Sequence, residues 1–202
     1  MKRFLFVFIV CIILNAFSGC TNKKDPKIEH LQEYFAAEKA AKNSPQTITK
    51  IFLDFEFGMS PQEVKDHFNS LKKAGKIHTD RGGFYYIYHT KYGDAKMRFS
   101  QAYHNDSLYS LKCSFVRDGN LIDNRELSTL DAFSKFSDAH PDWKSWIVEL
   151  LEGFDPDWYK IKDNVIVKFD MLRGEMTYTN APVLKQIEEE KEQREQNTLN
   201  DF

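Results

Sequence analysis

Thiols, imidazoles and carboxylates are the side chains best able to do chemistry, so their spacing is read first. The chain has three cysteines, Cys11, Cys20 and Cys113. Cys20 has the most organised setting. Ser18 and Gly19 stand directly before it, an unbroken apolar run from Phe4 to Leu14 lies upstream, and Lys2 and Arg3 open the chain. Cys113 lies in Tyr109-Ser110-Leu111-Lys112-Cys113-Ser114-Phe115, on the same side as Tyr109, Leu111 and Phe115. It reads as a small buried hydrophobe, because a nucleophile would need a base and exposure.

The six histidines, His30, His67, His78, His89, His104 and His140, include no pair four residues apart. That spacing is what puts two imidazoles on one helix face to hold zinc. No cysteine lies near them, and neither a metal nor a cofactor is expected. There is no Gly-x-Ser-x-Gly, no phosphate loop and no dinucleotide fingerprint; Gly82-Gly83 reads as a turn. Asp155 and Asp157 are the carboxylates considered for glycoside hydrolysis, but carboxylates are common and no catalytic residue is assigned. The remaining candidates are aromatic. Tyr85, Tyr86, Tyr88, Trp143, Trp146 and Trp158 could line a sugar- or peptide-binding surface. Alternation from Phe84 to His89 puts rings on both faces of one strand, so some point outward unless a helix or strand covers them.

The N-terminal segment decides the address. Eleven apolar residues fit the core of a signal peptide and fall well short of the roughly 20 that a spanning helix needs. Phe17-Ser18-Gly19-Cys20 resembles the lipobox of bacterial lipoproteins, with Phe17 where Leu is commoner. The resemblance implies cleavage before Cys20 and lipidation of that cysteine. More than one acyl chain is needed, because a single chain binds a bilayer only marginally. Thr21-Asn22-Lys23-Lys24-Asp25 carries no Asp directly after the cysteine and no acidic cluster. By resemblance to lipoprotein sorting signals, this implies the periplasmic face of the outer membrane. With Cys11 removed and Cys20 lipidated, Cys113 has no disulfide partner.

The full chain has 28 basic and 30 acidic residues; cleavage removes Lys2 and Arg3 and leaves 26 against 30. Nucleic acid, which needs a basic surface, is not an expected partner. The expected organisation is a signal peptide over 1–19, a tether with a short helix over 20–45, a single domain over 46–187 and a polar tail over 188–202. A domain of about 150 residues buries roughly 70% of its unfolded surface, enough for a core without staples. The tether's helix rests on Ile28, Leu31, Tyr34 and Phe35 at near-helical spacing.

Ile51, Leu53, Phe55 and Phe57 alternate with polar residues and predict a half-buried strand. Ser60-Pro61-Gln62-Glu63 predicts a helix start with a capping box and Pro at the first position. Val64, Phe68 and Leu71 form its apolar stripe, and Gly75 ends it. Phe84–His89, Ala95–Gln101 and Leu108–Val116 read as three strands of an antiparallel meander. Leu127, Leu130 and Phe133 begin a second helix, and Trp143, Trp146, Ile147, Leu150, Leu151 and Phe154 predict more helix after Pro141. Three strands follow, at Trp158–Ile161, Val165–Phe169 and Met176–Tyr178. A C-terminal helix starts at Asn180-Ala181-Pro182, and its apolar face ends at Ile187.

Gly58-Met59-Ser60-Pro61-Gln62-Glu63-Val64 resembles the helix entry in two groups. One is the small lipoprotein subunit of the outer-membrane β-barrel assembly machine. The other is the β-lactamase inhibitor protein, whose fold repeats a helix-plus-meander unit. The resemblance implies a periplasmic setting and a repeated fold. The expected class is α+β: an antiparallel sheet with helices packed on one face, and a tandem duplication of a helix–three-strand unit. The expected function is a non-enzymatic envelope lipoprotein, held at the membrane through Cys20, that binds an envelope protein partner. The alternatives are a glycan- or small-ligand-binding lipoprotein and an enzyme with an unrecognised site.

Overall fold

The computed structural model describes residues 25–116, 125–149 and 156–200. Cys20 and the segment before it, the polar loop at Asn120–Asn124, the apolar residues from Leu150 to Phe154, and Asp155 lie outside the described residues. The described residues fall into two units, one of residues 25–32 and one from Glu33 onward. The first helix, α1 (Pro26–Lys42), begins in the former. There Asp25 caps it, its Oδ1 accepting from the Lys27 amide at 2.9 Å.

In the second unit the best-specified element is α2 (Pro61–Lys73). Ser60 Oγ accepts from the Glu63 amide, and Glu63 Oε2 accepts in return from the Ser60 amide at 2.7 Å. These bonds satisfy amides that a helix start otherwise leaves open. At the far end Gly75 takes a left-handed φ of 71°, and the Lys76 amide donates back to the Leu71 carbonyl. Val64, Phe68 and Leu71 are buried, as the periodicity predicts.

The strands are β1 (His78–Asp80), β2 (Gly83–Thr90), β3 (Gly93–His104), β4 (Ser107–Val116), β5 (Lys144–Val148), β6 (Asp157–Lys162), β7 (Val165–Asp170) and β8 (Glu175–Asn180). Helix α3 (Arg125–Ala139) precedes β5, and α4 (Ala181–Asn200) follows β8. All eight strands form one antiparallel sheet in the order β1-β2-β3-β4-β8-β7-β6-β5. The class is therefore α+β, and the repeat is visible: a helix and its meander, twice, joined where the last strands of the two halves pair. Among the described residues each half carries four strands, one more than expected, the additions being β1 and β5.

Two segments differ from their predicted form. Ile51–Phe57 is not a strand. It turns tightly at Phe52–Asp54, where Leu53 and Asp54 take φ of 55° and 62°, and the Ile51 amide reaches the Phe55 carbonyl at 2.8 Å. This turn lets Phe52 reach the core as well as Phe55 and Phe57, and a straight strand could not. Lys144–Val148, predicted helical, is strand β5. Trp146 and Val148 are buried while Ile147 is 48% exposed, the two-residue period of a sheet edge.

The core lies on one sheet face. Ala95, Met97, Leu111, Cys113, Val165, Val167, Phe169, Met176 and Tyr178 supply the sheet side of it. Helix α2 contributes Val64, Phe68 and Leu71; α3 contributes Ala132, Phe133 and Phe136. On the other face, Tyr34 of α1 meets Tyr159 at 4.8 Å and Trp146 at 6.4 Å between ring centroids. Lys42 is paired with Glu188 of α4 at 2.9 Å. One buried side chain ties the irregular segment to the sheet. Asn164, fully buried in the β6–β7 turn, accepts from the amides of Thr47 and Ile48 and donates to the Ile48 carbonyl.

Candidate functional site

The turn at Phe52–Asp54 leaves a gap beside α3. A cavity of about 290 Å³ opens there, over the sheet and across the seam between the two halves. One wall is Lys50, Ile51 and Phe52, hung from Asn164 through the adjacent Thr47 and Ile48. The opposite wall is the inner side of α3, with Ala132, Lys135, Phe136 and Ala139, continued by His140 and Trp143. The floor is Tyr88 of β2 and Met176 and Tyr178 of β8.

The interior is apolar and aromatic. Phe52 packs edge-on to Tyr86 and is stacked with Tyr178 at 6.5 Å. Phe136 holds Trp143 edge-on at 5.2 Å and His140 at 4.5 Å. Burial pushes the Tyr178 hydroxyl well above its ordinary range, with Cys113 and Tyr88 adding to it. The Tyr88 hydroxyl is pushed up chiefly by burial and then by the nearby Asp131 carboxylate. Both phenols are therefore neutral near pH 7 and act as hydrogen-bonding or apolar surface.

Charge enters at the margin. Asp131 is buried, and its Oδ1 accepts from the Lys91 amide at 3.2 Å. Lys135 Nζ stands 3.1 Å from Asp131 Oδ2, an ion contact without hydrogen-bond alignment. Lys135 also donates to the His89 carbonyl and lies 5.2 Å from the centre of the Tyr88 ring. Lys50 meets Glu56 only at 3.7 Å and is largely exposed.

The aromatic candidates do not form one strip. Tyr88 and Trp143 line the cavity. Tyr86 packs toward the core, and Trp158 meets Phe133 of α3 at 4.8 Å. Trp146 lies on the other face against Tyr34, and Tyr85 sits under the Lys96 ammonium at 4.3 Å. Cys113 is fully buried, and burial pushes its thiol up, as befits a core residue. Asp157 pairs with Lys168 at 2.7 Å. Among the described residues no group of three His, Cys, Asp or Glu side chains could hold a metal ion, and no helix is long and apolar enough to cross a membrane. Sequence reasoning did not single out Lys50, Phe52, Asp131, Lys135 or Phe136 for a site. They come from separate elements, and only the paired α3 and Phe52 turn bring them together. The chain matches no family model, no curated protein and no solved structure.

Proposed function

We propose that this chain is a non-enzymatic, lipid-anchored binding protein of the bacterial cell envelope, and that it holds a small ligand in the seam cavity. The observation that carries the reading is the cavity itself: about 290 Å³, aromatic on three sides, with a few polar groups at its margin. Its volume is close to the lower end for small-molecule sites, and its lining is of the usual kind. A lipid on Cys20 would hold the domain at the outer membrane's periplasmic face, where confinement raises its effective concentration.

Ala139 is exposed at the cavity mouth, so Ala139→Trp should close the cavity without disturbing the core. Saturation-transfer NMR with one- and two-ring aromatic compounds should detect binding to the parent chain and its loss in this variant. If no compound distinguishes the two proteins, the reading fails. For the anchor, Cys20→Ala should abolish incorporation of labelled fatty acid and leave a precursor; equal labelling would remove the lipoprotein reading.

The envelope protein partner is the second reading. It is favoured by the sheet surface opposite α2, where Tyr85, Lys96, Arg98 and Lys112 are partly exposed in a mixed-charge patch with Asp80 and Glu175. A photo-crosslinker at the exposed Ser100 should then capture one envelope protein in cells, while one at Lys65 on α2 should not.

A further inference from the structure

We propose that the seam cavity takes a small aromatic carboxylate, with its ring system between Phe52 and Phe136 and its anionic group at Lys50 and Lys135. This rests on the cavity being a binding site and names what it binds. Three observations converge.

The first is size. An apolar cavity of about 150 Å³ holds one benzene ring, and this one, at about 290 Å³, has room for roughly a second ring or a short side chain. The second is the lining. Phe52, Phe136, Trp143 and Tyr178 present ring faces and edges, the geometry in which aromatic groups stack or meet edge to face.

The third is charge. Among the described residues that line the cavity, the charged side chains are Lys50 and Lys135, and no carboxylate lines it. Each lysine has an acid beside it: Asp131 is buried 3.1 Å from Lys135, whereas Glu56 meets Lys50 at 3.7 Å in a long, solvent-exposed pair that is worth little and that a ligand can replace. An ammonium has three donors. Lys135 donates one to the His89 carbonyl and keeps only an ion contact with Asp131, and those of Lys50 are open to an incoming acceptor. Rings in this arrangement could also cage a quaternary ammonium. Two lysines at the mouth count against a cation, and that charge selects the anion.

The test uses the full chain in phospholipid nanodiscs, with empty nanodiscs subtracted, titrated calorimetrically with three isosteres: 2-naphthoate, 2-naphthalenemethanol and 2-naphthylmethylammonium. The carboxylate should bind tightest. Lys50→Gln should weaken it about three- to tenfold, the range for an exposed or partly exposed charged contact, and leave the alcohol unchanged. Lys135→Gln should do the same; since it also removes the partner of buried Asp131, Lys50→Gln is the decisive variant. Alcohol binding as tight as naphthoate, lost in Ala139→Trp, would overturn the carboxylate assignment while the cavity remained a site. Tightest binding of the ammonium compound would overturn it in favour of a cage. Binding of all three unaffected by Ala139→Trp would overturn the cavity reading itself.

Discussion

Asn164 holds one wall of the cavity without lining it. Its amide makes three bonds to the backbone at Thr47 and Ile48, which lead directly into the cavity wall. Asn164→Ala should cost about 3 kcal/mol in chemical denaturation, at roughly 1 kcal/mol net per bond. It should also weaken any ligand of the cavity without touching it. Asp80 gives the chain an acid-sensitive anchor. Hydrogen bonds from Lys96 and then Arg98 hold its carboxyl well below the usual carboxylate range. A depressed value stabilises the fold above the unfolded carboxyl's pKa, about 3.9. That contribution is lost as pH falls through the lower folded value. The parent should therefore exceed Asp80→Asn in stability at pH 7, and the gap should narrow progressively below about pH 4. A gap that stays constant down to pH 2 would remove the assignment. Neither residue was visible in the sequence. A polar residue in a turn carries no sign that it will be buried, and Asp80 owes its partners to strand register.

Local rules held where an element's own residues settle its geometry. The start of α2 was legible because the cap, the proline and the reciprocal glutamate all lie within four residues. Ser60→Ala should lower stability by about 1 kcal/mol, read as a shifted denaturation midpoint with an unchanged slope. The long strands were legible from alternation. Two segments were not, for opposite reasons. In Lys144–Val148 the spacing of Trp143, Trp146 and Ile147 imitates a helix, but the exposed Ile147 was never part of a buried stripe. In Ile51–Phe57 the alternation is real at Phe55 and Phe57, yet Leu53 and Asp54 adopt positive φ, which few non-glycine residues do and no local pattern announces. Core packing selects that turn: Phe52, Phe55 and Phe57 all find ring partners or buried positions only if the chain doubles back there.

At the scale of the whole molecule, the α+β class and the doubled plan could be read from element order, whereas the cavity could not. Its residues span positions 50 to 178 and meet only after the two halves join. That junction is the pairing of β4 with β8, in which Leu111 faces Tyr178 and Cys113 faces Met176. Across it, Lys112 and Glu175 are 63 positions apart in the chain, whereas the turn between β2 and β3 is closed by Thr90 and Gly93, only three apart. Closing a long loop before its contacts repay the entropy is slow, and local hairpins come early. The two meanders should therefore form first; bringing them together along β4–β8 is the slow step, and the seam's side-chain contacts are completed only after its barrier. Glu175→Ala, expected to cost about 1 kcal/mol because the Glu175 carboxylate accepts from Lys112 and Ser114 across the seam, should accordingly raise the unfolding rate and leave the refolding rate nearly unchanged. Met97→Ala, inside the first meander, should slow refolding. Stopped-flow chevrons of the two variants separate these effects, and a refolding limb slowed by Glu175→Ala would place the seam inside the nucleus. Before docking, each half waits as a separate sheet. Until the seam closes, each half offers a bare terminal strand, β4 or β8, with unpaired amides and carbonyls to any other chain nearby. Two copies refolding at high concentration could then join β4 to β8 between molecules, so aggregation should rise with concentration during refolding and fall away once the native sheet is complete.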